Sequence, residues 1–152
     1  MPTEAPRTTA SEIITALDLA PNQTCGYARV TYTSPLSLED ALDAPLDGVR
    51  PLGTALYFLV TPEAQVRLHR IANDQLYHYY LGDPLELTLH LADGTDEQHI
   101  VGPDLLQGQV VQLRIPGGTF HTARVLGEWF LGGSTEWPGV IPADVELGPS
   151  QG

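Results

Sequence analysis

The sequence contains no lysine, and its seven arginines are outnumbered by 19 aspartates and glutamates, for a net charge of −12. Nucleic acids and anionic membranes are bound through a concentrated basic surface. Arginines scattered along an acidic chain do not supply such a surface. The composition therefore predicts neither nucleic acid nor a membrane as a partner, and we interpret the acidity as a source of solubility.

Cysteine is almost absent as well, because Cys25 stands alone. A single cysteine excludes an intrachain disulfide framework. With no Cys-His signature around it, Cys25 is predicted to be a structural thiol rather than a nucleophile. No apolar run approaches the roughly 18 residues of a membrane helix, and no basic stretch leads into an apolar segment. We therefore expect a cytoplasmic protein.

Glycine and proline, in contrast, are abundant, with 15 and 13 residues. Turn residues at short intervals between alternating apolar and polar positions are typical of an all-β chain. The pattern predicts strands at 54–60, 65–71, 75–81, 85–91, 97–101, 110–115, 119–126 and 128–135. It also predicts a short helix at 11–18 with Ser11 as N-cap, and one helical turn at 38–42.

The length of 152 residues suits one domain. Residues 1–10 are mostly polar and contain proline, so we expect them to be disordered. Residues 149–152 form a polar tail. A single domain is therefore predicted at residues 11–148.

Two stretches contain most of the residues suited to chemistry: RLHRIANDQLYHYYLGDP at 67–84 and GQVVQLRIPGGTFH at 108–121. Each places histidine on a segment that alternates like a strand, with glycine and proline at its ends. Residues two apart share one face of a strand. The shared faces predicted in the first stretch are His69 with Arg67 and Ile71, and Gln75 with Tyr77 and Tyr79. Two such strands converging inside a β-barrel would form a site.

Both stretches resemble the motifs of the cupin superfamily. The first has His69, Ile71, Gln75 and Gly82 at the places of two histidines, a glutamate and a glycine, and the second matches P-x-G-x-x-H with Pro116, Gly118 and His121. The segments LDLAPNQTCGYARVTY, TALYFLVTP, YHYYLGDPLEL, GPDLLQGQVVQLRIPGGTF and LGEWFLGG resemble the cupin-5 family, a former domain of unknown function. The resemblance implies an all-β cupin jelly-roll β-barrel with a short N-terminal helix or arm, followed by a strand at 26–33 that lines the pocket mouth. It also implies a homodimer that pairs through edge strands.

The resemblance also bears on metal binding. Mononuclear cupin sites use about three imidazoles and one carboxylate, which suit iron or manganese. Here Ile71 and Gln75 replace two of the four ligands, so we predict that no metal cofactor is needed. A divalent transition metal, if one binds, would use His69, Gln75, His78 and His121. Alternation sets His78 opposite to Gln75, whereas the family pattern has a histidine at this place that a β-bulge would turn inward.

Side chains alone could catalyse a reaction in such a barrel. A neutral histidine accepts a proton near pH 7, and a buried tyrosine donates one. We predict His69 or His121 as the base, Tyr77 or Tyr79 as the acid, and His78 as a further catalytic residue. The predicted function is that of a metal-independent isomerase or epimerase, lyase or cyclase. The alternatives are a non-catalytic ligand-binding or structural cupin and a metal-dependent cupin oxygenase.

The predicted ligand is a small, mostly apolar organic molecule, because several polar residues of the family pattern are missing. The apolar walls of the ligand site are predicted to be Tyr27, Phe58, Tyr77 and Phe120. The further residues predicted to contact the ligand are Gln75, Tyr79, Gln112 and Arg114. Arg67 or Arg114 would bind a ligand carboxylate, because a buried arginine without an anionic partner is costly. The alternative is an arginine at the rim, bonded to a surface carboxylate.

Overall fold

A computed structural model describes residues 6–39 and 42–149 of the protein. These residues form one α-helix, two short 3-10 turns and thirteen strands. The strands are β1 (Ala20–Pro21), β2 (Tyr27–Thr33), β3 (Ser37–Leu38), β4 (Arg50–Pro51), β5 (Thr54–Val60), β6 (Val66–Ile71), β7 (Asp74–Gly82), β8 (Leu85–His90), β9 (Asp96–Val101), β10 (Gln112–Ile115), β11 (Phe120–Val125), β12 (Phe130–Trp137) and β13 (Val145–Leu147).

Two antiparallel sheets build a jelly-roll β-barrel, which confirms the predicted all-β fold. The six-stranded sheet has the order β1-β2-β5-β12-β7-β10, and the five-stranded sheet has the order β13-β6-β11-β8-β9. Strands β3 and β4 form a separate pair. No helix in the described part of the chain is long and apolar enough to cross a membrane.

The inward side chains at one end of the barrel form a solid core, which we call the filled half. Its residues are Val60, Leu85, Leu87, Leu89, Val101, Val125 and Phe130. On β8 the leucines are buried and the residues between them are partly exposed, as the alternation predicts. Burying one such side chain stabilises the fold by about 1.5–3 kcal/mol. The filled half is therefore a main source of the barrel's stability.

The helix α1 (Ala10–Leu17) packs on the outer face of the six-stranded sheet. Thr9, not Ser11, is its N-cap: the Thr9 hydroxyl accepts from the Glu12 amide at 3.2 Å, and the Thr9 amide donates to the Glu12 carboxylate at 2.7 Å. This reciprocal pair is a capping box. Asp18 ends the helix in a left-handed conformation with φ 53°. The helix buries Ile13 against a cluster that includes Trp129.

The segment before the helix is attached to the barrel. Arg7 forms an ion pair with Asp83 at 3.0 Å, and its guanidinium lies 4.9 Å from the Trp129 ring centre. The indole N–H of Trp129 donates to the Thr8 carbonyl at 2.9 Å. Residues 1–5 of the segment predicted to be disordered lie outside the described residues. So do residues 150–152 of the predicted tail and residues 40 and 41 of the predicted helical turn, whose first residue, Leu38, lies in β3 instead.

A β-bulge in β6 determines which of its side chains enter the barrel. His69 pairs with His121 and Val66 with Ala123, so three steps along β6 match two along β11. The additional residue reverses the alternation, and both Val66 and His69 are buried while Arg67 is exposed. The prediction that Arg67 shares the face of His69 is corrected by this bulge.

A buried ion pair fixes the chain segment beside one end of the barrel. Arg50 and Asp144 are 1% and 2% exposed at their side chains, and Arg50 Nη1 lies 2.7 Å from Asp144 Oδ2. Arg50 also donates to the Gly139 carbonyl, and Asp144 accepts from the Ile141 amide. Removing one partner of such a pair costs roughly 3–5 kcal/mol, because the other charge stays buried. The pair therefore holds residues 139–144 in place.

Candidate functional site

The other end of the barrel interior contains a cavity of about 450 Å³. We call this part the open half and define it by its inward residues Thr54, His69, Ile71, Gln75, Ser134 and Glu136. Both sheets contribute to its wall, and Phe58 and Tyr77 form the boundary with the filled half. Ile141, Pro142 and Val145 close one side. A cavity of this size accommodates a small organic ligand.

His69 presents a proton acceptor to the cavity. Its Nδ1 atom lies 2.7 Å from the Arg67 carbonyl oxygen. A carbonyl oxygen only accepts hydrogen bonds, so Nδ1 carries the hydrogen and Nε2 holds a lone pair. Burial lowers the pKa of His69, which favours the neutral ring. Among the described residues Nε2 has no hydrogen-bond partner, so its lone pair is available to a ligand.

His121 lies behind His69 and contacts Tyr77. The two imidazole ring centres are 4.4 Å apart. His121 Nδ1 donates to the Thr119 carbonyl at 3.0 Å, so its Nε2 accepts from the Tyr77 hydroxyl at 3.3 Å. Burial and the neighbouring His69 lower the pKa of His121 to about 3, and burial raises the pKa of Tyr77 well above its usual value. Both side chains therefore stay neutral and bonded to each other.

Glu136 places a carboxyl group in the cavity wall. It is 3% exposed, and it pairs in register with Gln75 of the neighbouring strand. The Thr54 hydroxyl donates to Oε2 at 2.7 Å, and the Ser134 hydroxyl lies 2.6 Å from Oε1. Ser134 also lies 3.3 Å from Gln75 Oε1. Four polar side chains of the six-stranded sheet are thus joined in one hydrogen-bonded network.

Burial raises the pKa of Glu136, and the two hydroxyl contacts oppose this shift. No cationic side chain forms an ion pair with Glu136 anywhere in residues 6–39 and 42–149. An unpaired buried carboxyl group favours its neutral form. Such a group donates a hydrogen bond or a proton, and its raised pKa is typical of a functional carboxyl group.

Four of the sequence-predicted site residues line the cavity: Phe58, His69, Gln75 and Tyr77. They come from both sheets, and Gln75 and Tyr77 share the inner face of β7 as predicted. His121 is buried next to them and reaches the cavity only through its contacts with His69 and Tyr77.

Three predicted residues lie on the outer face of the six-stranded sheet instead. His78 Nε2 bonds to the Thr135 hydroxyl at 2.9 Å, and the Gln112 amide donates to His78 Nδ1 at 3.2 Å. Arg114 forms an exposed ion pair with Asp74 at 3.2 Å, as in the alternative of a rim arginine. A β-bulge does occur in β7, but it falls after His78 and leaves that ring outside.

The remaining predicted contacts also lie away from the cavity. Tyr27 packs near α1 on the outer face, and Phe120 lies under Arg70, whose guanidinium is 4.4 Å from the ring centre. Tyr79 faces inward but packs against Phe130 of the filled half. Arg67 lines a separate surface groove of about 400 Å³.

These positions do not fit the metal site that the cupin resemblance implies. Ile71 is apolar, His78 faces outward, and His121 Nε2 is engaged by Tyr77. Within the described ranges, no three His, Cys, Asp or Glu side chains come together in a way that could hold a metal ion. The donor set that remains is suited to proton transfer and hydrogen bonding.

Sequence reasoning missed Glu136 together with Ser134 and Thr54. The predicted strand ended at residue 135, whereas β12 continues to Trp137. The inward residues of β12 are Phe130, Gly132, Ser134 and Glu136. Extending the predicted alternation by one residue would therefore have identified the carboxyl group.

Comparison with known proteins identifies the class. Residues 11–148 match the Cupin_5 family of the cupin superfamily (DUF985). The chain is 26% identical over 135 residues to an uncharacterized protein of Saccharomyces cerevisiae, covering 83% of this chain and 66% of the yeast protein. The chain thus spans slightly less than two thirds of that relative.

Solved structures show the same fold. A hypothetical protein from Leishmania major superimposes with a TM-score of 0.84 at 26% identity, covering 93% of this chain and 88% of that one. A Shewanella oneidensis protein gives 0.82 at 24% identity, with coverage of 93% and 85%. A variant of Bacillus subtilis oxalate decarboxylase gives 0.58 at 15% identity, covering 83% of this chain and 29% of the decarboxylase, a likeness of fold alone.

The fold and the interior site define a cupin-type small-molecule-binding protein. More narrowly, this chain belongs to the Cupin_5 family of the cupin superfamily.

Proposed function

We propose that the protein is a metal-independent enzyme that catalyses proton transfer on a small, mostly apolar organic molecule bound in the open half. The observation that supports this proposal most is the orientation of His69. Its Nδ1–H donates to the Arg67 carbonyl, which leaves Nε2 with a lone pair and no partner among the described residues, on a side chain that lines the cavity. Isomerisation or epimerisation, elimination and cyclisation all begin with the removal of a proton by such a base.

The proposed proton transfer requires only the substrate and one side chain. A substrate C–H proton moves to His69 Nε2, and the electron pair of that bond stays on the substrate as an enolate. The imidazolium that forms keeps its Nδ1–H bond to the Arg67 carbonyl, which stabilises the new charge. Return of the proton to the same or a neighbouring carbon completes an epimerisation or isomerisation. Glu136 is the second group in the cavity that exchanges protons with a ligand.

Deuterium incorporation tests the proposal without knowledge of the natural substrate. The protein is incubated in D₂O with a panel of cyclic ketones, lactones and enones, and exchange is followed by NMR. We expect exchange into at least one compound, lowered by about 10²–10⁴-fold in His69→Gln, the usual contribution of a general base. Exchange at the wild-type rate in a folded His69→Gln protein would contradict the role of His69. A control is His90→Gln, which changes an exposed histidine paired with Asp96.

A non-catalytic ligand-binding protein is the second candidate. This candidate is supported by the hydrogen bond between Tyr77 and His121. Because these two side chains bond to each other, neither is available to transfer a proton to or from a ligand. Saturable binding of panel compounds with no deuterium exchange in any of them would favour this candidate over the enzyme.

The expected homodimer and cytoplasmic location remain predictions from the sequence. Light scattering during size-exclusion chromatography tests the first, and a mass of 16.4 kDa would contradict it. Fractionation of the source cells tests the second.

A further inference from the structure

Resting on the proposed function, we infer that Glu136 and Gln75 select the charge of the ligand: the cavity takes a neutral carbonyl compound and excludes carboxylates. Glu136 is the acidic side chain among the residues that line the cavity, and no arginine lines it within the described ranges. An organic anion would therefore leave water without gaining a cationic partner. Such burial costs several kcal/mol.

The arginines predicted to bind a carboxylate are in other places. Arg67 lines the separate surface groove, because the bulge in β6 turns it away from the cavity. Arg114 is exposed and paired with Asp74. The cationic partner that would balance a carboxylate ligand is thus missing from the lining residues, and the proposed selectivity follows from this distribution of charge.

The contacts around Glu136 indicate which of the neighbouring side chains donate hydrogen bonds and which accept them. Ser134 has one hydroxyl hydrogen but lies within hydrogen-bond distance of both Glu136 Oε1 and Gln75 Oε1. All contacts are satisfied if Glu136 is protonated and donates to Ser134, and Ser134 donates to Gln75. Thr54 donates to the other carboxyl oxygen. Burial, which raises the pKa of Glu136, acts in the direction of this form, whereas hydrogen bonds donated by Thr54 and Ser134 act against it.

In this arrangement Gln75 directs a free donor to the ligand. Its Oε1 atom accepts from Ser134, and its Nε2 atom has no hydrogen-bond partner among the described residues. The side chain is buried, and it lines the cavity. The Nε2 atom is accessible within the cavity wall rather than fully enclosed, so it is free to donate a hydrogen bond to a carbonyl oxygen of a ligand. The ligand class is therefore a neutral ketone, ester, lactone or amide with apolar flanks.

The other ionisable groups of the cavity stay uncharged as well. Burial raises the pKa of Cys25 to about 11, and Glu136 adds to that shift. Burial also raises the pKa of Tyr77 and lowers the pKa of His69. None of these three groups offers a positive charge to an anion near neutral pH.

Matched probes of the same shape test the inference. Cyclohexanecarboxamide and cyclohexyl methyl ketone are compared with cyclohexanecarboxylate at pH 7.5, by titration calorimetry and by NMR. We expect both neutral probes to bind at least about tenfold more tightly than the carboxylate. In Gln75→Leu the neutral probes should lose about tenfold in affinity, because the amide donor is gone. In Glu136→Gln, which keeps a neutral side chain at this position, the preference for the neutral probes should remain.

The control Glu97→Gln makes the same change on β9, where Glu97 is exposed and contacts His99. It should leave all affinities unchanged. Equal wild-type affinities for the amide and the carboxylate would overturn the inference, as would no binding of either neutral probe at millimolar concentration. The wild-type comparison decides the matter even if a variant fails to fold. Selective binding without deuterium exchange would leave the inference standing and contradict only the proposed catalysis.

Discussion

The filled and open halves of the barrel share strands β5 and β12 and differ in the side chains that these strands turn inward. On β12 the inward row changes from Phe130, which is fully buried in the core, to Ser134 and Glu136 in the cavity wall. On β5 it changes from Val60 to Thr54. The filled half stabilises the fold through apolar contact. The open half buries polar groups whose desolvation opposes folding, so their presence there indicates function.

Truncating a side chain in the filled half should give the largest loss of stability, and it tests the difference between the two halves. Phe130 is fully buried between Phe58 and Tyr79, so Phe130→Ala removes a ring and leaves a void. We expect a loss of roughly 3–5 kcal/mol in the free energy of unfolding. Ile71→Ala in the open half should cost less, because Ile71 already borders a cavity. Urea denaturation measures both, and equal losses would remove the distinction between the halves.

Acid should destabilise the protein through the histidine pair. The pKa of His121 is lowered to about 3 in the folded state from an unfolded value near 6.5. A lowered histidine pKa contributes stability that is complete above pH 6.5 and is lost as the pH falls from 6.5 toward 3. Between pH 7.5 and 4.5 we expect wild type to lose roughly 2–3 kcal/mol more than His121→Gln.

Urea denaturation at the two pH values measures this difference. Comparison of variant with wild type cancels the surface carboxylates Glu12, Asp83 and Asp93, whose lowered pKa values also weaken the fold in acid. His99→Gln serves as the matched control, since His99 is paired with Glu97 and is not among the groups that lower the pKa of His121. An unchanged pH slope in His121→Gln would show that the interior pair is not buried in the neutral form.

A change at Glu136 should have the smallest effect and the opposite sign. Its folded pKa is raised by burial, so its contribution is favourable below an unfolded value near 4.5 and is lost as the pH rises through the folded pKa. Glu136→Gln keeps the bonds from Thr54 and to Ser134 but removes the ionisation. We expect a gain on the order of 1 kcal/mol at pH 7.5 and almost none at pH 4. A clear loss at pH 7.5 would mean that an ionised Glu136 stabilises the wall.

Much of the barrel could be predicted from the sequence because strand alternation is a local signal. Thr54–Val60 has the predicted bounds, and the inward leucines of β8 were identified by their spacing. The helix begins one residue early because Thr9 and Glu12 form the capping box, whereas Ser11 lies within the first turn. Local patterns of this kind are decided by neighbouring residues alone.

The site was less predictable because it depends on pairing between strands. The bulge that turns Arg67 outward exists only in the register of β6 against β11. Glu136 lies beyond the predicted end of its strand, and its proximity to Gln75 comes from the register of β12 with β7. The carboxyl group that the motif lacks at Gln75 is thus supplied by the facing position on the next strand, which no motif within one segment reveals.

In the proposed function, His69 Nε2 is the proton acceptor that the open half presents to a ligand. Long-range ¹H–¹⁵N NMR of labelled protein reports the protonation of each ring nitrogen directly. At pH 7.5 we predict the Nδ1–H tautomer for His69, with an unprotonated Nε2 whose shift changes when cyclohexanecarboxamide is added, while the Nδ1 signal stays in place. An Nε2–H tautomer, a charged imidazolium, or an Nε2 chemical shift that stays the same when the ligand binds would contradict the role of His69 as a base.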